Sequence, residues 1–162
     1  MIAQMLALAL AASAPAQITA PQITAPQVRA FVERQSRAWN SGDLAAYFAT
    51  FTPQALFTDQ ALGNDNKVVP YGVATLAQAR AQARRVFAAS RVRETFVITA
   101  ITIAPDGRRA QVADDEVSDI TKAGKVRRVC AHSVATLVLT PAGLRSTGQT
   151  DTIVRCRARP IG

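Results

Sequence analysis

The chain has 162 residues, 49% of them apolar and 19% charged, with a formal net charge of +8. That length suits one domain with its own core, and the composition excludes a disordered chain or a bundle of membrane helices. The charge excess comes from arginines scattered over all segments after Arg29, without a dense block or interleaved aromatics, so solvated faces are expected and nucleic-acid binding is not.

Residues 1–16 read as an export signal. Leu6, Leu8 and Leu10 among alanines form a short apolar core, and Ala14-Pro15-Ala16 supplies small residues for cleavage after Ala16. No Lys or Arg precedes Arg29, so the positive end rests on the α-amino group alone. The apolar stretch is too short to span a bilayer, and the expected location is periplasmic or secreted. The unit ITAPQ occurs twice over residues 18–27, and the uncharged, Pro-containing stretch 17–26 is expected to form an extended linker. The domain proper is then 27–159.

Apolar spacing predicts a first helix over Gln27–Asn40, with Val28, Phe31, Val32, Gln35, Ala38 and Trp39 on one face. Asn40-Ser41-Gly42 stops it and Asp43 starts a second helix to Phe51, which Thr52-Pro53 ends. Ala55–Asp59 reads as a short strand, Gln60–Tyr71 as a loop rich in Gly, Asn and Pro, and Ala74–Ala89 as a third helix. Four β-rich segments follow: Val92–Ala104, Arg109–Thr121, Val126–Thr140 and Leu144–Arg157, joined by the turns Pro105-Asp106-Gly107, Lys122-Ala123-Gly124 and Pro141-Ala142-Gly143. The expectation is an α+β domain, three helices followed by an antiparallel meander. A break in alternation at Asp114-Asp115 predicts a bulge there.

Counting outward from the last turn puts Cys130 and Cys156 on one face of neighbouring strands, opposite or diagonal. In an exported chain such a pair forms a disulfide; in a reducing compartment the two remain buried thiols. With no C-x-x-C and one histidine, no zinc site is expected. His132 falls roughly opposite Asp114, a conceivable base with a carboxylate fixing its tautomer, or an ordinary cross-strand pair. The acids Asp114, Asp115, Glu116 and Asp119 lack the Gly-broken spacing of a calcium loop, and pairing with Arg127 and Arg128 accounts for them.

The order in Val32–Asp59, helix, Asn-Ser-Gly-Asp break, short helix, Thr-Pro turn and strand ending in Asp, resembles the opening of nuclear transport factor 2-like, or SnoaL-like, domains. The resemblance implies a cone, a curved antiparallel sheet with three N-terminal helices packed across it, and often a homodimer. It makes Asp59 the counterpart of the general base in ketosteroid isomerase-like members. Their helix-one Tyr and late-strand acid correspond here to Gln35 and Ala135, so two oxyanion donors are missing. It also places Trp39, Tyr47, Phe48, Phe57 and Tyr71 near the cone mouth, with Gln35, Trp39, Tyr47, Asp59 and Tyr71 as the expected pocket. Two functions follow: a non-catalytic domain binding a small apolar ligand or a protein partner, or a cofactor-free isomerase, cyclase or dehydratase using Asp59 with His132. Nothing resembles a phosphate loop or dinucleotide fingerprint, so no cofactor is expected.

Overall fold

The computed structural model describes residues 21–156. The expected signal segment, the first four residues of the expected linker and the last three residues of the expected domain lie outside them. Helix α1, Ala25–Ser41, begins two residues earlier than its periodicity suggests. Thr24 caps it through a reciprocal box: Gln27 N–H donates to Thr24 Oγ1, and Thr24 N–H donates to Gln27 Oε1 at 2.8 Å. Just before the cap, Ile23 is buried in the same cluster as Val28 of α1, and its N–H donates to the Gly107 carbonyl at 2.7 Å. The second ITAPQ unit is therefore a helix start and part of the core, not the end of a tether.

Gly42, at φ 76°, closes α1, and Asp43 caps the five-residue α2, Leu44–Phe48, by accepting from Ala46 N–H at 2.9 Å. Strand β1, Phe51–Leu62, already contains Thr52-Pro53. Proline is tolerated there because the ladder to the neighbouring strand is interrupted between Phe51 and Leu56. The predicted loop at Gln60–Tyr71 is instead the rest of β1, a turn, and the start of β2, Val68–Thr75. Pro70 lies on this edge strand, and Tyr71 is the extra residue of a bulge opposite Asp59–Gln60. Thr75 then caps α3, Leu76–Ala89, through a second box with Gln78.

Strands β3 (Arg91–Ile103), β4 (Arg109–Lys122), β5 (Lys125–Thr140) and β6 (Gly143–Val154) form the predicted meander. The six strands lie in the order β2-β1-β6-β5-β4-β3. All neighbours are antiparallel except β1 and β6, so the sheet is mixed and not wholly antiparallel. Its helices are also not three in a row, because the β1–β2 hairpin separates α2 from α3. The bulge near the acidic run lies on the facing strand: Thr99 of β3 is the extra residue, between Ile98 opposite Asp114 and Ala100 opposite Ala113.

Two buried clusters hold the helices to the sheet. Val28, Phe31 and Val32 of α1 pack with Ala110, Val112 and Leu137, while Phe48, Phe51, Ala55 and Ala83 gather α2, β1 and α3. At the β1–β6 junction the backbones come so close that a Cβ on Gly148, at φ 139°, would collide with the Leu56 carbonyl. Cys130 and Cys156 are joined by a disulfide, diagonal across β5 and the end of β6, with Cα atoms 5.2 Å apart.

Candidate functional site

Side chains alternate across a strand, so register decides what the helix-covered face presents. One transverse line runs from Asp59 on β1 through Asp151 on β6 and Ser133 on β5 to Asp114 on β4. Glu116 lies two residues along β4 from Asp114 and shares its face, and Glu94 of β3 faces Ser118. Five carboxyl groups thus share the inner face. Glu94 is fixed from both sides. The Asn40 side-chain amide at the end of α1 donates to the Glu94 carbonyl at 2.9 Å and accepts from its N–H at 2.7 Å, while Ser118 Oγ donates to Glu94 Oε2 at 2.8 Å.

Four of them, all but Asp114, line a pocket of about 270 Å³. Its walls are aromatic and aliphatic: Trp39 from α1, Tyr47 and Phe48 from α2, Phe57 from β1, and Ala79, Ala83 and Val86 from α3. The rings brace one another, with Trp39–Tyr47 and Trp39–Phe87 centroids both 4.8 Å apart. Tyr47 O–H reaches Gln149 Oε1 at 3.5 Å. Glu94, Glu116, Asp151 and Asp59 all line the cavity, Asp59 at its exposed rim, and no Lys, Arg or His does so among the described residues.

Burial dominates the electrostatics. It lifts the Glu116 carboxyl to about 10, helped by the charges of Glu94, Asp151 and Asp114 and by a hydrogen bond with Asp114. Burial also raises Glu94 to about 7 and Asp114 to about 6, and raises Asp151 against hydrogen bonds from Gln149 and Ser133. The Tyr47 hydroxyl is pushed up by burial and by the same acids. Near neutral pH Glu116 is therefore a neutral carboxylic acid that donates its hydrogen bond to Asp114. Asp151 Oδ1 and Trp39 Nε1 are buried without a hydrogen-bond partner. Among the described residues, no group of three or more His, Cys, Asp or Glu is arranged to hold a metal ion.

Of the residues expected from the sequence, Trp39, Tyr47 and Asp59 meet at this pocket. Gln35 lies outside its lining, with its amide donating to Thr50 Oγ1 at 2.8 Å. Tyr71, 68% exposed, is carried away from the lining by the β2 bulge. Asp59 and His132 are not brought together. His132 neighbours Ser133 of the transverse line, so it points to the opposite face, and its register partner is Asp115, not Asp114. His132 Nδ1 and Asp115 Oδ1 form a hydrogen bond there, with both side chains more than half exposed.

That outer face carries a larger groove, about 740 Å³, lined by Arg93, Asp115, Asp119, Arg128, His132 and the disulfide, among others. Its charged groups are largely satisfied: Arg128 grips Asp119 through two 2.7 Å hydrogen bonds, and Arg155 donates to Asn64 at 2.6 Å. Size alone does not make a site, and the buried, partly unpartnered polar groups lie on the inner face. Glu94 and Asp151 were not singled out from the sequence. The signal was present in β3, where Val92, Glu94, Phe96 and Ile98 alternate inward, so the one acid in an apolar series had to be buried.

No protein-family model matches the sequence, and no curated protein matches it at a meaningful level. Solved structures do. A conserved protein from Planctomyces limnophilus superposes with a TM-score of 0.67 at 14% identity, covering 80% of this chain and 94% of its own. A ketosteroid isomerase-like protein from Erwinia carotovora atroseptica gives 0.61 at 14%, covering 81% and 96%. A nuclear transport factor 2-like protein of unknown function from Shewanella oneidensis gives 0.58 at 15%, covering 78% and 97%. The chain has the nuclear transport factor 2-like fold.

Proposed function

We propose that the domain binds a small, largely apolar molecule in the cone pocket, between the aromatic wall of α1 and α2 and the carboxyl floor. The observation that carries this reading is the pocket itself: an aromatic-lined concavity with a few polar groups, just below the usual range of about 300–1,000 Å³ for ligand sites and so suited to a compact molecule. Trp39 is the only tryptophan and lines the pocket, so its fluorescence reports occupancy. Titration with apolar fragments is expected to change that emission saturably. A fragment set that leaves it unchanged counts against the reading.

A second reading, cofactor-free proton transfer, is favoured by one specific finding. Ala135 offers no late-strand donor, but the neutral Glu116 carboxyl becomes one if its proton turns from Asp114 to a ligand, and Asp59 stands at the rim of the same cavity as a base. Exchange of α-hydrogens of a cyclic ketone in deuterated water separates the two. Binding alone leaves exchange at the buffer rate; catalysed exchange that falls by orders of magnitude in Asp59→Asn establishes the enzyme.

Export to the periplasm or beyond belongs to the same proposal and is supported by the disulfide, a bond typical of oxidising compartments. A homodimer is supported by Leu56, Val73, Val97 and Val134, all exposed on the outer sheet face. No described helix is long and apolar enough to cross a membrane.

A further inference from the structure

We propose that the ligand of the cone pocket is an organic cation, an amine or quaternary ammonium group on a compact apolar body. This deepens the ligand-site reading and rests on it. Four carboxyl groups line the cavity and no basic side chain does among the described residues, in a chain with 19 lysines and arginines. A basic protein that keeps every base out of one acidic cavity has left its counter-charge to come from elsewhere.

Asp151 supplies the independent sign. Gln149 Nε2 donates to its Oδ2 at 2.9 Å and Ser133 also hydrogen-bonds the carboxyl, yet buried Oδ1 has no donor in good hydrogen-bond geometry. A buried acceptor without a donor is costly, by about 1–3 kcal/mol for a polar group and more for a charged one. A neutral apolar ligand would seal that atom further from water, and a carbonyl would offer it another acceptor. An ammonium offers donors and charge together, while Trp39, Tyr47 and Phe57 supply rings suited to cation–π contact, the Phe48 ring being already met by the Arg80 guanidinium at 5.6 Å. The Trp39 indole N–H, also unpartnered, leaves room for an oxygen elsewhere on the same ligand. A metal ion is a poorer fit, because the carboxyls ring an aromatic cavity without converging as ligands. Glu94, held near pH 7 by burial, can release its proton as the cation enters, so the charge that the empty pocket disfavours is compensated on binding.

The test is a matched pair of cage probes, 1-adamantanamine and 1-adamantanol, titrated against Trp39 fluorescence. The shapes are nearly the same, and the amine stays protonated across roughly pH 5–9. The amine is expected to bind at least about tenfold more tightly at neutral pH. Glu94→Gln and, separately, Asp151→Asn should remove most of that preference by weakening the amine far more than the alcohol, with folding checked by circular dichroism. Glu94→Gln keeps the test decisive where Asp151→Asn fails to fold. Equal affinities, or tighter binding of the alcohol, overturn the cation inference and leave the ligand-site reading standing. If neither probe nor any fragment binds, the ligand-site reading falls and this inference with it.

Discussion

Glu116 retains its proton in the fold to about pH 10, whereas an unfolded glutamate loses it near 4.5. Between those limits the unfolded chain binds fewer protons than the native one, so stability falls as pH rises. Glu94 acts in the same sense between about 4.5 and 7, Asp114 between about 3.8 and 6, and Asp151 in the same direction. Their favourable contribution is complete only below the unfolded values. One proton difference changes stability by up to about 1.4 kcal/mol per pH unit. The unfolding temperature is therefore expected to be higher at about pH 5 than at about pH 8. Glu116→Gln should flatten that slope and stabilise the protein on its alkaline side. Calorimetry across this range checks both, and a midpoint that climbs with pH contradicts the buried-acid account.

At the scale of elements, the disulfide ties β5 to the chain just beyond β6 across 26 residues. Loop-closure entropy for that length corresponds to about 3 kcal/mol. Reduction, or Cys130→Ser with Cys156→Ser, is expected to lower unfolding free energy by about that amount while preserving the far-ultraviolet spectrum. Titration of two free thiols in the unreduced, unfolded protein would contradict the bridge. The elements differ in how plainly the sequence shows them. The α1 face of Val28, Phe31 and Val32 and the three turns of the meander follow from local periodicity and glycine chemistry, which tertiary context does not alter. The β1–β2 hairpin did not, because Pro53 and Pro70 disguise strands that take proline at an interrupted ladder and on an edge. The cap at Thr24 was readable as T-x-x-Q but hidden inside a repeat. The site was legible only in part. Asp59, Trp39 and Tyr47 follow from family resemblance, whereas Asp151 and Glu94 acquire meaning from long-range register that no local pattern encodes. In the run Asp114–Asp119, alternation sends Asp114 and Glu116 inward and leaves Asp119 to pair with Arg128 outside.

At the scale of the molecule, one parallel junction joins two groups of elements. The β1–β2 hairpin and α3 stand on one side, β3 to β5 on the other, and β6 lies between them in the sheet. Gly148 makes the junction possible. Gly148→Ala would drive a methyl group into the Leu56 carbonyl at a positive φ, so a loss of at least about 1–3 kcal/mol is expected from denaturant unfolding. A variant as stable as the parent would show that the sheet can relax there.

The same junction sets an order of events during synthesis. Every strand but the last can leave the ribosome, and β1 still has no partner on its far edge, because that partner is encoded by residues 143–154. Until β6 arrives the curled sheet is in two pieces, and pairing partners so far apart in sequence make closure slow. Cys156 follows two residues later, so oxidation to Cys130 comes after the closing strand is in hand. The covalent bond is thus a latch that shuts only behind a finished sheet, and a nascent chain stalled before it remains open enough to be threaded, degraded or held.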